Sequence, residues 1–276
     1  MQRTSVALLP SILHRLLPLA VIVGALTAAV GSGCEARPTA PEAPTVAGPP
    51  PSAVVTVYAP WSMELRLRRI FEKFQLARPG VTFRLHVSKP GPLIKRMKEG
   101  ALPDVYISMG PVGVERLRDL GLVRERSERE ILRQRLILVC SDAMKDTVKS
   151  VHDLAKPEVT VVGMPPTGLS AGVFSHQALK ELGLLETVAA KERISPFSLF
   201  VKKEVDVAIM YEECVYEEDL WVGARVPRPT INVVEPLGEP FPVIAVGIKG
   251  EGPAEVAQEF IDFLTQPEAQ QILNRQ

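Results

Sequence analysis

The chain has 276 residues, 46% of them hydrophobic and 23% charged, with 32 basic and 32 acidic side chains that cancel. That apolar content suffices for one large core or two modest ones. Zero net charge argues against a protein built to hold nucleic acid or an acidic membrane surface, and no Lys/Arg-rich tract interleaved with aromatics is present to line a nucleic-acid groove.

In chain order, the first 33 residues read as a leader. Arg3, His14 and Arg15 flank an apolar run from Leu16 to Leu26, which continues through small residues to Gly31-Ser32-Gly33-Cys34. A basic start, an apolar stretch and a small-residue exit predict a secretory signal rather than a stable membrane span. Small residues directly before a cysteine resemble the bacterial lipobox, which makes Cys34 the expected lipidation site and new N-terminus. Gly31 departs from that pattern, where an aliphatic residue is usual. An ordinary cleaved signal with an incidental cysteine is the alternative. Loss of residues 1–33 removes two basic side chains and no acidic one, which leaves a net charge of −2. Residues 35–53 hold six prolines and no large apolar residue beyond Val46. Such a stretch buries too little surface to offset its ordering entropy and is predicted to be an extended tether.

From Val54 onward short strands and helices alternate. Val54 to Tyr58 is β-rich and is followed by Ala59-Pro60-Trp61-Ser62. Met63, Leu67, Ile70, Phe71 and Phe74 then share one face of a helix, with Ser62 as its expected N-cap. Pro79-Gly80 ends that helix. A strand over 82–87, a helix over 93–98, a strand over 104–107 and a helix over 112–120 follow. Arg135 to Cys140 reads as a strand buried on both faces. The pattern continues with a helix over 148–154, strands over 159–162 and 205–210 separated by a helix over 170–182, a strand over 242–248, and a helix carrying Val256, Ala257, Phe260, Ile261 and Leu264 on one face. This alternation predicts an α/β fold with parallel or mixed sheets flanked by helices.

Two thiols remain. Cys140 and Cys214 pair if the protein is oxidised outside the cytoplasm, or stay apart if Cys140 is a small buried hydrophobe in its apolar strand. The four histidines are scattered without metal-ligand spacing, and His86 and His176 read as structural.

In open α/β sheets ligands bind beyond the carboxyl ends of strands, beside helix N-termini. The turns in that position are Ala59 to Ser62, Ser88 to Pro92, Ser108 to Pro111, Pro165 to Gly172, and Tyr211-Glu212-Glu213. They are rich in hydroxyls and small residues, which with exposed N–H groups suit an oxyanion. Singly, each reads more readily as a cap or turn, and only the set carries weight.

Taken together and in order, these stretches resemble the bacterial periplasmic molybdate-binding proteins of ABC importers. The resemblance runs through Val55 to Ser62, Leu93 to Gly100, Pro103 to Ser108, Arg135 to Val139, Ser170 to Phe174 with Ala178-Leu179, and Lys203 to Tyr211. It implies a two-lobed periplasmic-binding-protein fold with a ligand cleft between the lobes. Residues 54–136 with 241–276 would form one lobe and 137–240 the other. The implied ligand is molybdate or tungstate, with no further cofactor, and the implied partner is an ABC permease. The protein is expected to be a monomer in the periplasm or on the cell surface, touching the membrane only through its lipid. The implied ligand groups are the Ser62 hydroxyl, a backbone N–H at Ala171, the Tyr211 hydroxyl and, by an approximate match, a backbone donor near Arg193-Ile194.

One position departs from the pattern. The serine of the second loop falls at Pro90, which has neither hydroxyl nor N–H, so Lys89, Ser88 or the Gly91 N–H must compensate. After Tyr211 the chain has Glu212, Glu213 and Cys214 in place of small polar residues. A carboxylate 4 Å from an anion costs about 4 kcal/mol per unit-charge pair at an effective dielectric of ~20. Glu212 and Glu213 therefore point away from a dianion, or the ligand is another small anion or a metal cation held by these oxygens. The acidic run Glu212, Glu213, Glu217, Glu218 and Asp219 also reads as a solvated helix face. A hydrolase or transferase is the remaining alternative, but no Ser/His/Asp order sits on suitable turns.

Overall fold

The computed structural model describes residues 53–216 and 228–274. The leader, Cys34, residues 35–52 of the expected tether, Glu217, Glu218 and Asp219 fall outside them, while Ala53 already belongs to a strand. None of the described helices is long and apolar enough to cross a membrane.

The first half begins with β1 (Ala53–Pro60), a 3₁₀ turn (Trp61–Met63) and α1 (Glu64–Ala77). It continues through β2 (Val81–Ser88), α2 (Pro90–Lys98), β3 (Val105–Ser108) and α3 (Pro111–Asp119). Strand β4 (Arg129–Cys140) leads into the second half, with a 3₁₀ turn at Val151–Ala155, β5 (Val162–Met164), α4 (Ser170–Glu181) and α5 (Leu185–Ala189). Then come β6 (Glu192–Ile194), α6 (Pro196–Val201), β7 (Val207–Tyr211) and α7 (Glu213–Tyr216). The chain returns along β8 (Asn232–Gly247) and closes with α8 (Ala254–Phe263) and α9 (Pro267–Leu273).

All eight strands join one mixed sheet in the order β2-β1-β3-β8-β4-β7-β5-β6. The outer trios β2-β1-β3 and β7-β5-β6 are each parallel, as expected where helices provide the crossovers. The long antiparallel pair β4/β8 runs between them, from Arg129↔Ala245 to Cys140↔Asn232. Its ladder is interrupted between Glu130 and Leu132, Gln134 and Leu136, and Leu138 and Val139. Such bulges bend and twist a strand pair, so the two halves of the sheet are joined by a bent ribbon.

Each half of the sheet is covered on both faces. On the first half, α1, α8 and α9 pack Leu67, Ile70, Phe74, Phe260 and Ile261 against Val55, Val57 and Ala245, while α2 and α3 bury Leu93, Met97 and Leu117 on the reverse. On the second, α4 and α5 bury Ala178, Leu179 and Val188 against Leu138 and Ile209, and α6 with α7 covers Ile137, Val139 and Met210. Phe71, Phe74, Phe83 and Phe260 form an aromatic cluster, with Phe71 stacked on Phe83 at 4.1 Å and Phe260 4.7 Å from Phe83.

Several expected elements shift. Strand β8 begins ten residues before the expected Pro242, because Pro236, Gly238, Pro240 and Pro242 read as breakers although the bulged ribbon accommodates them. The expected helix over 148–154 is a 3₁₀ turn, and the expected strand over 159–162 pairs only from Val162. Ser62 is not a helix N-cap: it lies inside the 3₁₀ turn and caps no backbone group. Cys140 and Cys214 are both buried free thiols on opposite faces of the sheet. His86 packs edge-on against Tyr58, and His176 hydrogen-bonds the Gly172 carbonyl at 2.8 Å.

Candidate anion site

Tyr211 ends β7 in register with Leu136 of β4 and packs against the core cluster that holds Ala171 of α4. There its phenol oxygen lies near the Ala171 backbone N–H. The Tyr211 proton remains available to a ligand, and burial, reinforced by Glu213, holds the phenol above its usual pKa, so it stays a neutral donor. The turn before α4 is tight: a Cβ on Gly172 would lie 2.1 Å from the Pro166 carbonyl oxygen. Glycine there lets the loop close over the helix start that presents Ser170 and Ala171.

The facing half contributes the start of α3. Ser170 is buried, and its Oγ accepts the Val112 N–H at 3.1 Å across the cleft. Gly110, with φ +109°, approaches so closely that a Cβ there would stand 2.3 Å from the Ser170 Cβ. Trp61 and Phe197 make a second contact between the halves, with ring centroids 5.5 Å apart. Between them lies a cavity walled by Pro90, Ser108 and Arg116 on one side and by Gly168, Ser170 and Tyr211 on the other. At about 10 Å³ it has room for roughly one water. An ion of several heavy atoms therefore enters only when the halves part.

The structure brings Tyr211 and Ala171 together and places them at this cleft. It places Pro90 at the cavity wall, whereas Gly91 is exposed in the first turn of α2 and Lys89 is exposed at its N-cap. Ile194 is 47% exposed at the end of the sheet-edge strand β6 and does not line the cavity. Ser62 does not line it either, and faces Glu213 instead.

Glu213 is buried at the junction of the halves. Its Oε2 accepts Gln134 Nε2 at 3.1 Å and lies 3.9 Å from Arg66 Nη1. Its Oε1 has no hydrogen-bond partner among the described residues, and the Ser62 hydroxyl lies close to the carboxyl. The carboxyl thus points into a polar cluster shared by α1, β4 and α7 and not into the interlobe cavity. Together with Glu212 and Arg133 it borders a separate hollow of about 80 Å³. No group of three or more His, Cys, Asp or Glu side chains suited to a metal ion occurs among the described residues.

Burial raises the Glu213 pKa above its ordinary 4.5, against the opposing pull of Ser62, Arg66 and Gln134. The folded state then keeps a proton that the unfolded chain has lost. Stability is fullest below the ordinary carboxylate range, falls as pH rises toward the folded pKa and levels above it. Melting temperatures measured between about pH 4 and pH 8 should show this decline, and Glu213→Gln should flatten it.

Ser170 and Arg116 also line the cavity, and neither is marked as a site residue by the sequence. Ser170 lies in one of the candidate turns, but nothing local in the sequence shows that its hydroxyl meets Val112. Arg116 sits on an exposed helical face and carries no motif.

Comparison with known proteins supplies the family. The pattern of the bacterial extracellular solute-binding proteins matches residues 55–276. The chain belongs to this family. Among curated relatives, the Bacillus subtilis protein YvgL, a lipoprotein named for ABC-transporter substrate binding, is 22% identical over 266 residues, 92% of this chain and 95% of its own. The molybdate-binding protein ModA of Haemophilus influenzae is 25% identical over 240 residues, 80% of this chain and 88% of its own. Two solved structures share the fold. The periplasmic molybdate-binding protein of Azotobacter vinelandii has a TM-score of 0.63 at 18% identity, covering 79% of this chain and 96% of that one. The sulfate-binding protein SubI of Mycobacterium tuberculosis has a TM-score of 0.65 at 16% identity, covering 80% and 84%. The family member described here thus has the two-lobed fold of periplasmic binding proteins, with its cleft between the halves of the sheet.

Proposed function

We propose that this solute-binding protein captures a small tetrahedral oxyanion, molybdate or tungstate first, and delivers it to an ABC permease while held at the membrane by a lipid on Cys34. The observation that carries the reading is the Tyr211 hydroxyl at the wall of the interlobe cavity, beside Ser170 at the start of α4. The phenol is a neutral donor, and the helix N-terminus beside it adds partial positive charge. An anion is thereby held without a fixed carboxylate opposing it, since Glu213 turns to Arg66 and Gln134. The lobes are taken as residues 54–136 with 241–276, and 137–240, with the β4/β8 ribbon as hinge. Ligand selects the closed form by bridging donors on both sides.

The similarity to ModA favours molybdate, and the shared fold with a sulfate-binding protein makes sulfate the competing ligand. Calorimetric titration of the purified protein with molybdate, tungstate and sulfate decides between them. Micromolar or tighter binding of the first two, with sulfate at least about 100-fold weaker, is the expected result. Tyr211→Phe should weaken the preferred anion by about 10- to 100-fold with little change in melting temperature, because it deletes one charge-assisted hydrogen bond. Ser62→Ala should leave anion binding nearly unchanged, because that hydroxyl faces Glu213 and not the cavity. Failure of molybdate and tungstate to bind at micromolar concentration would overturn this ligand.

A further inference from the structure

We infer that Arg116 is an anion-binding residue of the cleft that replaces, from the neighbouring helix, the donors lost at Pro90; the inference rests on the oxyanion reading above. Helix α2 begins Pro90-Gly91-Pro92, so two of its first three residues have no N–H to offer. The cavity wall beside Pro90 would be poor in donors on that side. Arg116 stands on the adjacent helix α3 and lines the same cavity, opposite Gly168 and Tyr211. Its Nη2 comes within 3.5 Å of the point a Cβ on Gly168 would occupy, so the guanidinium spans from one half of the protein to the other.

Three features suit it to an anion. No ion pair joins it to a described carboxylate, although α3 also carries Glu115 and Asp119. The cavity wall includes no carboxylate, and its other polar side chains, Ser108, Ser170 and Tyr211, are neutral. A guanidinium also offers a planar fork of donors that matches two oxygens of an oxyanion at once. Arg116 and Ile94 are shared with a larger groove of about 490 Å³ between α2 and α3, where Lys95, Lys98 and Arg116 outweigh the one carboxylate of the lining, Asp119. That groove gives an anion an attractive path to the cleft and leaves space for a substituent on it. The ligand class is therefore a tetrahedral oxyanion, either free or as the head of a small organic phosphate.

The test compares the full-length protein with its Arg116→Gln and Arg116→Lys variants by calorimetry. Molybdate, sulfate, phosphate and glycerol 3-phosphate are each titrated at low and high salt. Arg116→Gln should weaken whichever anion the unaltered protein binds by about 20-fold or more, and Arg116→Lys by only a few-fold. The salt dependence of binding should diminish in Arg116→Gln, a change that a purely structural role would not produce. Because the side chain is exposed, the melting temperature should stay unchanged. A preference for glycerol 3-phosphate places the substituent in the groove, and a preference for an inorganic ion confines the ligand to the cleft; the loss with Arg116→Gln supports the inference in either case. Binding within twofold of the unaltered protein, at the same salt dependence, overturns it and leaves the oxyanion reading intact. If the unaltered protein binds none of the four anions, both fail together.

Discussion

Gly110→Ala should hold the two halves apart and weaken ligand binding at least about 100-fold, or roughly 2.7 kcal/mol. Gly110 meets Ser170 across the cleft, and an added Cβ would lie 2.3 Å from the Ser170 Cβ and 2.4 Å from its Oγ. A Cβ cannot swing aside, so the clash is relieved only by separating the walls. The backbone at Gly110, with φ +109°, adds strain in any conformation of the protein. That second effect lowers the melting temperature a little, whereas the clash acts only on the closed form. Calorimetry should therefore show a loss of affinity out of proportion to the loss of stability, and small-angle scattering should show no compaction on adding ligand. Pairing the change with Ser170→Gly removes the obstructing Cβ and should recover part of the affinity. Unchanged binding by Gly110→Ala would mean that ligand does not require this closed arrangement.

Phe260→Ala has the largest expected effect on stability. Its ring is fully buried and touches three others, at 5.5 Å from Phe71, 5.5 Å from Phe74 and 4.7 Å from Phe83. Deleting such a ring leaves a cavity that a cluster of rigid aromatics cannot collapse to fill, at a cost of about 3–5 kcal/mol. For a folded unit of this size the melting temperature should drop by about 8–15 °C in a calorimetric scan. None of the ring partners of Phe260 is Tyr211, whose own ring neighbour is Phe241. Ligand affinity below the new melting point should be retained, which separates this variant from Gly110→Ala.

These two residues were not equally legible in the sequence. Phe260 was readable, because Val256, Ala257, Phe260, Ile261 and Leu264 mark one helical face whatever they pack against. Gly110 appeared only as a turn glycine; its contact with Ser170, 60 residues away, has no local signature. The candidate site divides in the same way. Tyr211 and Ala171 were named from the order of motifs, and they meet. Ser62 was expected to cap a helix, but its hydroxyl faces a buried carboxyl supplied by a distant segment. Glu213 read as part of a solvated acidic face, since a run of carboxylates usually is one; its partners Arg66 and Gln134 lie far away in sequence and meet it only through the sheet.

What the sequence determined by itself was the alternation of strands and helices, the buried face of each helix, the turns able to hold an anion and the family these imply. Those properties follow from local periodicity and from residue types whose backbone preferences act within a few positions. Tertiary structure alone decided which turns face one another. It set Pro90 beside Arg116 and turned Glu213 away from the cleft, and it let three prolines enter the long ribbon between the halves. Each of these outcomes depends on strand order and register, which bring together residues from 26 to over 100 positions apart and leave no periodic trace in the chain.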